Sequence, residues 1–274
     1  MIGILIGDLV GSAYEGVDIK GYGLPLLTPS SVLTDDSITA FATAESILND
    51  EVSPSAIAAT LRRWVAAHPG RGYGEMLEEW VRSERAEPDA GASLGNGAGI
   101  RTAIASLLID DPVRADEFAS RSGRLTHSSE AMELAHAISI CIRGVRGGQA
   151  FDAINEQVKA RCFIDLTCDL DRLHREAGFS PLMEATVAPA LYIGLTSETA
   201  EQAMRRVLYI GGDTDSIGAM AGAMIDARGL SWPMELLTAA KEAVKGLRYR
   251  RDAEKVLSFA SARHPSLKLA GFDA

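Results

Sequence analysis

A chain of 274 residues, 47% hydrophobic but only 6% aromatic, has enough Ala, Leu and Ile to bury a large core. Its formal net charge of −10 leaves no basic footprint for general nucleic-acid binding, and no run reaches the roughly 18 apolar residues of a membrane span. Cys141, Cys162 and Cys168 form neither a disulfide framework nor a zinc spacing, and the five histidines form no HxxxH or HxxEH pattern.

The opening Met1-Ile2-Gly3-Ile4-Leu5-Ile6-Gly7-Asp8 is apolar, without Lys or Arg ahead of it, and Asp8 interrupts it. It reads as mature protein rather than a signal peptide, so a cytoplasmic location is expected. Helical spacing recurs along most of the rest. Ile38 to Leu48 follows an acidic turn. Ser53-Pro54 opens a helix running to about Ala67 in cap-then-proline order. Tyr73 to Arg85 is predicted helical, Glu87 to Gly91 a loop, and Gly99 to Leu108 a buried helix. Asp111-Pro112 opens another, and Ser128 to Arg143 and Ala150 to Arg161 follow. Thr186 to Leu195, Thr199 to Leu208, Ile217 to Arg228, Pro233 to Lys245 and Arg250 to Ala262 complete the series. No strand alternation or internal repeat interrupts it. The expectation is one all-α domain over residues 1–264, a compact orthogonal multi-helix bundle, with residues 265–274 a C-terminal tail. Trp64, Trp80 and Trp232 read as helix-packing residues.

Two acidic turns carry the chemistry. One is Leu33-Thr34-Asp35-Asp36-Ser37; the other is Gly211-Gly212-Asp213-Thr214-Asp215-Ser216-Ile217-Gly218. Each gives two carboxylates and a hydroxyl at the start of a predicted helix. Either turn alone also reads as ordinary capping, because acids in a first turn complement the helix dipole. Brought together, they would place four carboxylates around one small volume. Like charges so close need compensation, and a hard divalent cation supplies it through oxygen ligands. Two such cations would make a hydrolytic centre at helix N-termini. Gly218 and Gly222 share a face, so another helix can pack very near the second turn.

With these motifs the chain resembles the ADP-ribosylglycohydrolase family. The resemblance runs from about Ile4 to Gly229. Gly7-Asp8-Leu9-Val10-Gly11-Ser12-Ala13-Tyr14-Glu15 resembles the family's opening GDxxGxxxE, and Thr34-Asp35-Asp36-Ser37 its T/S-D-D-T. Gly95-Asn96-Gly97-Ala98-Gly99-Ile100-Arg101 resembles GNGxxMR, and Thr126-His127 the TH dipeptide. Thr186-Val187-Ala188-Pro189-Ala190-Leu191 is close to T-V-P-x-A-L, and Gly212-Asp213-Thr214-Asp215-Ser216 resembles GDTDT.

The resemblance implies an all-α fold with a dinuclear Mg²⁺ or Mn²⁺ site. Its metal ligands would be Thr34, Asp35, Asp36, Asp213, Asp215 and Ser216, the last replacing a Thr. It implies hydrolysis of a glycosidic bond between ADP-ribose and an acceptor: a protein side chain, a nucleic acid or a small molecule. Nucleic acid would enter only as a modified substrate, and no membrane partner is implied. The catalytic residues would be Glu15, Asp36 and Asp215, with Glu15 handling a proton; its alternative is a solvated surface Glu. Asp8 reads as a structural hydrogen-bonding acid. Ser93, Leu94, Gly95, Asn96, Gly97 and His127 would bind substrate, since backbone amides at a Gly-rich helix start cradle phosphate without positive side chains. His127 alone would read as a cap or core histidine, and Arg101 as a bridge between helices. Leu94 stands where family members often carry an aromatic that stacks on adenine. A dinuclear phosphohydrolase and a catalytically silent ADP-ribose-binding or structural relative are the alternative functions.

Overall fold

Cap residues start the helices where the sequence places them. Ser53 Oγ accepts from Ala56 N at 3.2 Å, Asp111 from Arg114 N at 2.8 Å, Ser128 from Ala131 N at 3.2 Å and Thr199 from Gln202 N at 3.1 Å. The computed structural model describes residues 1–83, 91–176 and 178–263, and among them it is all-α. In chain order the helices are α1 (Ile2–Gly11), α2 (Asp35–Leu48), α3 (Pro54–Ala67), α4 (Glu75–Arg82), α5 (Gly97–Leu108), α6 (Pro112–Gly123) and α7 (Ser129–Arg146). There follow α8 (Phe151–Cys162), α9 (Leu170–Glu176), α10 (Met183–Thr196), α11 (Ala200–Ile210), α12 (Thr214–Ala227), α13 (Met234–Lys245) and α14 (Arg250–Arg263). Extended pairing among the described residues is limited to two isolated bridges, Ser93 with His127 and Gly95 with Leu182. Most of the expected loop at 87–91, and the tail at 265–274, lie outside the described residues.

Two helices have no counterpart in the sequence prediction. All ten residues of α1 are buried, so no polar face marks a period, and three glycines lower its intrinsic propensity. The short α9 is held from outside: Tyr209 Oη donates to Asp171 at 2.8 Å, and the His174 ring bonds the Tyr209 carbonyl at 2.6 Å.

The glycines of α1 explain its place. Gly3, Gly7 and Gly11 recur every fourth residue along one face. A Cβ on Gly7 would stand 1.9 Å from the Gly218 carbonyl oxygen, and one on Gly3 2.2 Å from that of Gly222. On Gly11 it would stand 2.2 Å from the Thr214 carbonyl. So α1 and α12 meet backbone to backbone. The Gly218 and Gly222 face is indeed where another helix packs, and that helix is α1. The same core runs from Met1 to Ala260 and includes Phe41 stacked on Trp64 at 5.5 Å. Burying so many aliphatic side chains, each worth about 1.5–3 kcal/mol, is what holds these helices together. This packing sets the N-termini of α2 and α12 beside one another.

Candidate active site

Close packing of α1 aims Asp8 at the start of α2. The buried carboxylate of Asp8 accepts from Thr34 N at 2.9 Å, Thr34 Oγ1 at 2.7 Å and Ser37 N at 3.1 Å, and also from Ser37 Oγ. It therefore fills a structural role, fixing the turn that carries Asp35 and Asp36. Thr34 is the N-cap of α2, its Oγ1 accepting from Asp36 N at 3.4 Å. Asp35 N donates to the Arg71 carbonyl at 2.7 Å.

The second turn needs its glycines. Gly211 and Gly212 have φ of 71° and 84°, a region that favours glycine. They swing Asp213 to the N-cap of α12, yet its carboxylate caps nothing. Instead it accepts from Asn96 Nδ2 at 2.8 Å. Asn96, the N-cap of α5, likewise makes no side-chain cap. Two helix starts thus give up capping, each normally worth about 1 kcal/mol, to join one another. Ser216 Oγ donates to Asp36 Oδ2 at 2.8 Å and ties the two acidic turns directly. Glu15 follows α1 in a turn where Gly16, at φ 66°, donates to the Gly212 carbonyl at 3.5 Å. Carboxylate oxygens of Glu15, Asp213 and Asp215 lie within 4.8 Å of one another.

So much negative charge raises proton affinity throughout. Burial first, then Asp215, pushes both Asp8 and Glu15 up to about 7. Burial and Asp215 push Asp213 up to about 9. Asp35 and Asp36 are raised well above the usual carboxylate range by burial first, then by their acidic neighbours. Among the described residues lining the cavity, Arg101 is the one Lys or Arg, and its guanidinium is engaged elsewhere. A cluster of oxygen donors with no protein cation among them fits a hard divalent metal ion.

The cavity, about 430 Å³, extends from this cluster past Ser93 to Gly97 and His127. Ser93 and His127 form one of the isolated bridges, and Ser93 Oγ accepts from Gly95 N at 3.1 Å. Asn96 N donates to Pro181 O at 3.0 Å, and Met183 N to Leu94 O at 2.9 Å, so residues 94–96 and 181–183 run side by side as one wall of the cavity. Arg101 is buried. It donates to Ser122 O at 2.6 Å and to His127 Nδ1 at 2.6 Å, bridging α5 to the segment before α7. An acceptor Nδ1 requires the imidazole proton on Nε2. Burial and Arg101 hold His127 well below its ordinary pKa, so the ring is neutral. A Cβ on Gly97 would stand 3.6 Å from Nε2, which puts this N–H donor at the Gly95–Gly97 turn.

A model of the ADP-ribosylglycohydrolase family matches residues 1–257. The chain belongs to that family. Mouse ADP-ribosylhydrolase ARH3 (Mus musculus) is 26% identical over 302 aligned residues, covering 83% of this chain and 82% of the relative. The human protein of that name (Homo sapiens) is also 26% identical, covering 83% of each. An uncharacterized protein of Archaeoglobus fulgidus is 24% identical, covering 88% of this chain and 90% of the other. A solved structure, an ADP-ribosylglycohydrolase-related protein complex, superposes with a TM-score of 0.69 at 25% identity over 96% of this chain and 95% of the other. The family is one of hydrolases.

In this member of the family the fold brings the expected residues to one place. Glu15, Asp35, Ser93 to Gly97, His127, Asp213, Asp215 and Ser216 all line the one cavity. Asp36 lies just behind it on Ser216, and Thr34 lies on Asp8. The sequence prediction missed Phe179, Leu182 and Met76, which line the same cavity and are 52%, 37% and 50% exposed. They belong to no motif, and only their exposure as large apolar side chains marks them. No helix among the described residues is long and apolar enough to cross a membrane.

Proposed function

We propose that the chain is a metal-dependent hydrolase that cleaves the glycosidic bond between ADP-ribose and an acceptor and releases ADP-ribose. Residues 1–264 would form its single catalytic domain. The observation that carries this is the convergence of both acidic turns, Glu15 and the Ser93–Gly97 segment on one cavity. Thr34, Asp35, Asp36, Asp213, Asp215 and Ser216 would hold two divalent cations, Mg²⁺ or Mn²⁺. When bound, these ions supply positive charge that orients ribose hydroxyls and polarises water.

The chain's own groups do the rest. Glu15 stands beside Asp215 at the cavity edge and exchanges a proton with the leaving or attacking oxygen. Carboxylates below the sugar favour the oxocarbenium character that builds at the anomeric carbon. The amide of Gly97 at the start of α5 faces the pyrophosphate, and His127 Nε2–H adds a neutral donor there. Leu94, Leu182 and Met76 give the adenosine end an aliphatic surface.

The deciding experiment offers ADP-ribosylated peptides, ADP-ribosylated nucleic acids and acylated ADP-ribose, with and without EDTA, and identifies products by mass spectrometry. Free ADP-ribose, lost with EDTA, is the expected product. Inorganic phosphate instead, or no turnover of any substrate, would overturn the proposal.

A further inference from the structure

A cavity of about 540 Å³ lies outside the site described above, and neither acidic turn contributes to it. It is bounded by Thr102 of α5, Arg124 after α6, Ser129 and Glu133 of α7, and Arg161 and Phe163 at the end of α8.

Phe163 breaks two rules at once. It closes α8 in the left-handed conformation, φ 58° and ψ 26°, a position that ordinarily takes glycine. A bulky side chain there is strained, and its ring recovers nothing by burial because the residue is 92% exposed. Such an outlier points towards function rather than packing. Beside it, neither the Arg124 nor the Arg161 side chain has a hydrogen-bond or ion-pair partner among the described residues. Most arginines of this acidic chain do, including Arg63, Arg121, Arg143 and Arg205. The nearby carboxylate of Asp116 is already held by Arg143 at 2.9 and 3.1 Å. Ser129, Glu133 and His136 present one side of α7 to the same space. Thr102 lines the cavity too, and its buried hydroxyl has no partner among the described residues.

Guanidinium groups recognise phosphate. An exposed aromatic face recognises a base by stacking. We infer that this cavity is a second ligand site that takes a nucleoside monophosphate, with the base on Phe163 and the phosphate between Arg124 and Arg161, within reach of the unpartnered Thr102 hydroxyl. Glu133 is free to accept from a base amino group or a ribose hydroxyl. The two cavities border one element, α5, which gives Arg101 to the first and Thr102 to this one.

The test is calorimetry on the full chain with AMP, UMP and inorganic phosphate, each with and without saturating ADP-ribose. AMP and UMP are expected to bind one site per chain that ADP-ribose does not compete for. Inorganic phosphate should bind at least tenfold more weakly. Phe163→Gly and Arg161→Ala should each weaken nucleotide binding at least tenfold. Phe163→Gly should also raise the thermal midpoint, because glycine relieves the left-handed strain, so lost binding in that variant is not lost folding. The inference is overturned if no nucleotide binds outside the ADP-ribose site. Unchanged nucleotide affinity in both variants, or phosphate binding as tightly as AMP, overturns it equally. A chain that fails to bind ADP-ribose would count against the proposed hydrolase and leave the nucleotide titration readable.

Discussion

Ser216 donates its hydroxyl to Asp36 at 2.8 Å, joining two turns 180 residues apart in the chain. The bond holds Asp36 against α12, so both residues should govern metal affinity. Calorimetry with Mg²⁺ and Mn²⁺ is expected to show binding largely abolished in Asp36→Ala. In Ser216→Ala it should weaken about tenfold, the size of one hydrogen bond to a charged group. Wild-type affinity in Asp36→Ala would remove that residue from the metal site.

Stability of the metal-free protein should fall as pH rises. Asp8 and Glu15 titrate near 7 and Asp213 near 9 in the fold, against 3.8 for free Asp and 4.5 for free Glu. Between those limits the folded state holds protons that the unfolded state has released. Each such proton lowers stability by about 1.4 kcal/mol per pH unit. The stabilisation is fully present below about pH 4 and is lost progressively up to about pH 9. Thermal midpoints in EDTA should therefore drop from pH 5 to pH 8. Added divalent cation should flatten the profile by binding only the folded, ionised cluster. A midpoint that rises with pH in EDTA would contradict the electrostatic account.

Glu15→Gln keeps the size of the side chain and removes its proton exchange. Turnover of an ADP-ribosylated substrate should fall about 10²–10⁴-fold. Metal affinity and ADP-ribose affinity should stay within a few-fold of wild type. Undiminished kcat would make Glu15 a bystander at the rim.

Leu94 is 41% exposed on the cavity wall beside residues 181–183. Leu94→Tyr should tighten ADP-ribose binding, because stacking on a base is worth roughly 1–3 kcal/mol. A dissociation constant at or above the wild-type value would place adenine elsewhere, and a crystal structure of the complex would show where.

Gly7→Ala puts a methyl group where Gly218 O lies 1.9 Å away. Neither backbone can give way without moving a helix. Overpacking of this kind costs typically 1–3 kcal/mol and can exceed that. The denaturation midpoint should fall accordingly, and metal affinity with it, since α1 carries Asp8 to the start of α2. The same substitution at Gly23, which has nothing within 4 Å of its would-be Cβ, is the control and should change little.

The sequence by itself determined the helical class, the acidic turns and the motif series. These are local properties: caps such as Ser53 and Thr199, a 3.6-residue period on half-buried helices, and carboxylates within one turn of each other. It did not reveal α1 as a helix, because a segment buried on every side has no period to read. Only tertiary structure decided that α1 is the helix seated on Gly218 and Gly222, and that Thr34 and Ser37 of the first turn are the partners of the structural acid Asp8. It also decided that Asn96 and Asp213 forgo capping to bond across 117 residues. Phe179 and Leu182 became cavity walls through Asn96 N and Met183 N, bonds between segments that no local pattern relates. Such placements depend on which surfaces exclude water together, and that is settled by the whole chain at once.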